Sequence, residues 1–72
     1  MKIKNKVLRL RDNITENIDY LSKEYQTTYD ILDELNKIIK FDMSHSLIFQ
    51  WWVENEDSIN IINELIEKLE EI

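Results

Sequence analysis

The sequence predicts an all-α fold, and three observations carry the prediction. The chain has 72 residues and neither glycine nor proline, so it lacks the two residues that most often punctuate helices and build tight hairpins. Ile18, Leu21, Tyr25, Thr28, Leu32, Leu35 and Ile39 form an apolar seam whose steps alternate between three and four residues. That is the period of a helix packed in heptads and not the period of two that a strand needs. A second seam, Ile48, Trp52, Asn55, Ile59, Ile62, Ile66 and Leu69, steps in the same way. Two such arms joined by a short connection make an antiparallel helical hairpin.

Residues 1–11 form a basic amino-terminal segment, and residues 12–40 form the first helix. Ile3, Val7, Leu10 and Ile14 extend the first seam backward, so helix is expected from about Lys2. The step from Ile14 to Ile18 repeats a gap of four, a stutter that locally unwinds a left-handed supercoil. Asn13 and Glu16 beside it have the spacing of a capping box, so a break near Asp12 is the alternative to one continuous helix. Residues 41–46 form the connection, because Asp42, Ser44 and Ser46 can each accept a bond from the free N–H groups that open a helix. Residues 47–72 form the second arm. Asn55 is a polar flaw in its seam, and the capping-type run from Asn55 to Ser58 predicts a possible break near Asp57. A strand at Leu47–Val53 has the right residue types but no glycine or proline to build a hairpin around it.

A domain this small buries too little surface to be comfortably stable without a staple. There is no cysteine and one histidine, which removes disulfides and leaves little for a structural metal site. Self-association is the remaining device. The adjacent pairs Ile31–Leu32, Ile38–Ile39, Trp51–Trp52, Ile61–Ile62 and Leu65–Ile66 spread apolar surface wider than one hairpin covers. The expectation is therefore a dimeric four-helix bundle whose oligomer core is made by Ile18, Leu21, Tyr25, Leu32, Leu35 and Ile39 on one arm. On the other arm it is made by Ile48, Trp52, Ile59, Ile62, Ile66 and Leu69.

No stretch reaches the roughly 18 apolar residues of a membrane span, and Met1–Arg11 lacks the apolar centre of a signal peptide. A cytoplasmic protein is expected. The net charge of -6 hides a division: residues 1–11 hold Lys2, Lys4, Lys6, Arg9 and Arg11 with no acid, whereas the last 19 residues hold seven acids and Lys68. Isoleucine, asparagine and lysine supply 26 of the 72 residues. All three have AT-rich codons, which fits a low-GC bacterium, its phage or a mobile element.

Catalysis requires groups this chain scarcely has. Without cysteine or glycine there is no thiol nucleophile and no phosphate-cradling loop, so no enzyme, cofactor or metal is expected. His45 reads as a solvated loop residue, and Glu64, Glu67 and Glu71 as a solvated acidic face. Trp51 is the feature most suited to binding. Adjacent helical positions diverge by about 100°, so with Trp52 in the seam Trp51 points to its edge, and interfaces favour tryptophan as an anchor. Phe49, Trp51, Glu54, Glu56 and Asp57 are the expected partner-binding residues. The amino-terminal bases are expected to meet the acidic tail (Glu64, Glu67, Glu70, Glu71) of a second subunit, or alternatively nucleic acid phosphates. The function expected is that of a small acidic protein–protein interaction module, an inhibitor or adaptor. A DNA-binding or antitoxin-like regulator using Lys2, Lys4, Lys6, Arg9 and Arg11 is the alternative.

Overall fold

The structure is a computed structural model that describes residues 3–41 and 44–71, and among these it contains helices and no strand. The helices are α1 (Ile3–Glu16), α2 (Ile18–Glu24), α3 (Thr28–Lys40), α4 (His45–Glu54) and α5 (Glu56–Glu70). Leu47–Val53 is therefore helical, which removes the strand reading.

α1 forms because Ile3, Val7, Leu10 and Ile14 recur at helical spacing, and all four are buried. Residues 3–11 of the basic segment are thus part of the packed bundle. α1 runs through Asp12 and Asn13 without the break that was the alternative there, and ends only after the apolar stripe is complete. The interruption falls at Asn17. Its backbone N–H tightens onto the Ile14 carbonyl at 3.2 Å, and its side-chain amide donates to the Asn13 carbonyl at 2.9 Å.

The expected helix over 12–40 is interrupted a second time. α2 ends at Tyr25, whose backbone is extended (φ -145°, ψ 102°), and the chain turns through Gln26 and Thr27 so that α3 packs along both α2 and α1. Thr28 locks this turn. It is fully buried, and its hydroxyl donates to the Tyr25 carbonyl at 2.6 Å, with the Leu21 carbonyl at 3.2 Å. Thr28→Val keeps the shape and removes the hydroxyl's bonds, while the Tyr25 and Leu21 carbonyls keep their backbone donors, the N–H groups of Thr28 at 3.1 Å and Tyr25 at 2.8 Å, so the urea midpoint should fall by an amount equivalent to about 0.5–1.5 kcal/mol. An unchanged midpoint would mean that Thr28 merely fills space.

α3 buries Thr28, Ile31, Leu35 and Ile38, leaving Leu32 and Ile39 half-buried. The seam is therefore rotated by about one position from the line through Leu32, Leu35 and Ile39. Ser44 caps α4 as expected, its hydroxyl accepting from the Leu47 N–H at 3.4 Å. Asp42 lies outside the described residues. The second arm breaks at Asn55, the first residue of the run expected to interrupt it and two residues before Asp57. The Asn55 side-chain amide donates to the Trp51 carbonyl at 2.9 Å, the same bond to the residue four earlier that Asn17 makes. A hydrogen bond of 2.8 Å between the Tyr25 and Ser58 hydroxyls ties the end of α2 to the start of α5. Backbone φ is negative at every described cap residue, so none of these positions calls for glycine.

The core is closed within one chain. Leu21, Leu35, Ile48, Ile59 and Ile62 are buried, and Ile18, Tyr25, Leu32, Ile39, Trp52 and Ile66 pack against them; Leu69 is half-buried. Of the adjacent apolar pairs, Ile31, Ile38 and Ile62 are buried, Leu32, Ile39, Trp51, Trp52, Leu65 and Ile66 are partly buried, and Ile61 is exposed. The radius of gyration of 12.0 Å is close to the roughly 11 Å of a compact domain of this length. Among the described residues no helix is long and apolar enough to cross a membrane.

Candidate docking surfaces on helix α4

Six of the ten residues of α4 (HSLIFQWWVE) are apolar, and they occur all around the helix. A helix of that kind is ordinarily enclosed. Here only Ile48 is buried. Trp51 and Trp52 are half-buried, while Leu47, Phe49 and Val53 stand 52 %, 54 % and 52 % exposed. α4 packs on α1 and α5, and apolar side chains remain uncovered on two flanks.

On the first flank an open groove of about 330 Å³ runs beside α3, lined by Glu34, Lys37, Ile38, Leu47, Gln50, Trp51 and Glu54. Leu47 and Trp51 enter it together because they lie four residues apart on one helix face. The Trp51 indole N–H donates to the Glu34 carboxylate at 3.2 Å, which fixes the ring at the groove edge. Gln50 donates to Glu54 at 3.1 Å, ordering the far rim. The result is an apolar floor bordered by the Glu34 and Glu54 carboxylates and by Lys37.

The second flank faces α1. His45 and Phe49 line a hollow of about 210 Å³ with Ile3 and Lys6. Lys6 also borders a neighbouring groove of about 180 Å³ with Arg9, Leu10, Asn13, Trp52 and Asn63, so the two form one strip. The Lys6 ammonium lies 6.0 Å from the Trp52 ring centroid, a cation–π contact worth about 0.5–1 kcal/mol at an exposed site. The tryptophans meet edge to face, with centroids 6.5 Å apart at 71°. One faces α3 and the other α1.

The expected partner-binding residues are divided by this geometry. Trp51 and Glu54 share the first groove, whereas Phe49 lies on the second flank. Glu56 and Asp57 stand beyond the Asn55 break in the first turn of α5, where carboxylates complement the helix dipole. Leu47 and Gln50 were not anticipated, although their spacing from Trp51 and Glu54 was legible. Glu34 and Lys37 reach the groove only through the tertiary fold.

The amino-terminal bases do not form one stripe. Lys6 and Arg9 border the groove with Trp52, while Arg11 pairs with Asp12 at 2.9 Å and shares a different face with Lys4, seven residues earlier. Lys2 lies outside the described residues. His45 opens α4 rather than sitting in a loop. Among the described residues no group of three His, Cys, Asp or Glu side chains is placed to hold a metal ion, and no buried side-chain polar atom lacks a hydrogen-bond partner. Family models, curated proteins and solved structures yield no match to this chain.

Proposed function

We propose that this chain is a small acidic helical protein–protein interaction module, acting as an inhibitor or adaptor, and that it engages another protein through the groove between α3 and α4. The observation that carries the reading is that α4 is apolar on all sides while only Ile48 is buried. Exposed apolar clusters rimmed by polar groups mark interaction sites, and a tryptophan held at a groove edge is the kind of anchor on which binding energy concentrates. The carboxylates of Glu34 and Glu54 favour a partner segment with a large apolar side chain flanked by lysine or arginine.

The test is affinity capture from the native cell with the wild-type chain and Leu47→Asp side by side. Leu47 is exposed and near the start of α4, where an acid is compatible with the helix dipole, so the fold should survive. A captured protein, identified by mass, should be lost with the variant. Equal capture by both chains would place the docking surface elsewhere.

The alternative of a DNA-binding regulator has less behind it, because α1 divides its bases between faces and the chain as a whole carries -6. Salt-dependent retention on duplex DNA that disappears in Arg9→Ala would put that reading first.

A further inference from the structure

The second flank of α4 differs from the first in one respect: it lies between the most basic and the most acidic helices of the chain. α1 carries Lys4, Lys6, Arg9 and Arg11 against Asp12 and Glu16, a net +2, and α5 carries Glu56, Asp57, Glu64, Glu67 and Glu70 against Lys68, a net -4. The fold packs α1 chiefly on α3 and α4, and packs α5 on α2 and α4. Across the groove floored by Trp52, Lys6 and Arg9 stand on one side and Asn63 on the other. Residues four and seven positions from Asn63 share its edge of α5, which puts Glu56, Glu67 and Glu70 there, all exposed. Phe49 adjoins the strip beside Lys6.

We propose that this face binds a second copy of the chain about a twofold axis. The Lys6–Arg9 edge of each copy lies against the Glu67–Glu70 edge of the other, with the two Phe49 side chains between them. A twofold interface uses the same patch on both partners, so the patch must complement itself. A basic edge and an acidic edge on either side of an apolar centre meet that condition. A polyanion would be repelled by the α5 edge, and a polycation by the α1 edge. Exposed ion pairs are individually weak, so the charges set register and orientation while Phe49, 54 % exposed in the single chain, supplies the apolar centre. The face is separate from the Leu47–Trp51 groove, and neither proposal depends on the other.

Sedimentation of the purified full chain, with no other protein present, tests this. Wild type should sediment at twice 8.8 kDa, and added salt should weaken the pairing. The double reversals Lys6→Glu/Arg9→Glu and Glu67→Lys/Glu70→Lys should each weaken dimerisation about tenfold or more. Mixing the two variants should restore it, because both edges of the mixed dimer are then complementary. Arg9→Glu alone, which leaves the Lys6–Trp52 contact intact, should act in the same direction, and circular dichroism should show unchanged helicity. A wild-type chain that sediments as a monomer overturns the proposal, and so does a dimer indifferent to both reversals. Mixed variants that stay apart overturn the twofold arrangement.

Discussion

Leu35→Ala should lower stability by about 2–5 kcal/mol, the range for emptying a closed core of a leucine side chain. Leu35 is fully buried in the single chain, packed where α3 meets the other helices. For a domain of this size total stability is of the order of 4–11 kcal/mol, and each kcal/mol moves the melting temperature by about 4–8 °C. The variant should therefore melt far below wild type or be partly unfolded at room temperature. The informative comparison is Leu32→Ala. Both leucines lie on the apparent heptad seam, but Leu32 is half-buried and should cost clearly less. Equal losses in thermal melts would return the core of α3 to the line through Leu32, Leu35 and Ile39.

Trp51→Ala should separate binding from folding. The ring is half-buried and its indole bond to Glu34 is exposed, so stability should fall by only about 0.5–1.5 kcal/mol for that hydrogen bond, with a modest addition from lost packing. Affinity for the protein captured through the α3–α4 groove should fall by about 2 kcal/mol or more, as expected of an anchor at the centre of an interface. Calorimetry with that protein, alongside urea unfolding of the variant alone, reads both quantities. A loss of stability equal to the loss of binding would mean that Trp51 is structural and that Leu47 alone marks the groove.

What the sequence disclosed and what it hid follow from the range of each signal. Helical periodicity is local, so the all-helical composition was legible, as were a connection over 41–46, two residues longer than the helices leave at its carboxy-terminal end, and a break within Asn55–Ser58. The turn at Tyr25–Thr27 was hidden because the heptad steps run straight through it, from Leu21 to Tyr25 to Thr28, with no glycine or proline to contradict them. One cue was present: Thr27 and Asp30 have the spacing of an N-terminal box, although the Thr27 side chain makes no cap bond. The break at Asn17 rests on a side-chain amide bonded to a carbonyl four residues earlier, which spacing alone does not distinguish from an exposed asparagine. On α3 the doubled pairs Ile31–Leu32 and Ile38–Ile39 fit two lines equally well, and only the position of α1 decides between them. The same holds for the candidate site. Trp51 announced itself, but Glu34 stands beside it only because the chain reverses at both ends of α3.

The negative φ angles at the caps bear on how this molecule can change over evolutionary time. In many small domains a few positions admit one amino-acid type only: a glycine in a left-handed turn, a cysteine in a disulfide, a histidine on a metal. In this chain the backbone angles at the described cap residues are open to any L-residue, and there are no cysteines. The core asks mainly for apolar volume, which related side chains can supply for one another at small cost. Selection on such a bundle acts on pattern more than on identity. Its descendants can drift far in sequence while keeping the same shape, and their kinship will show in the spacing of apolar residues and the placing of charge before it shows in any shared motif.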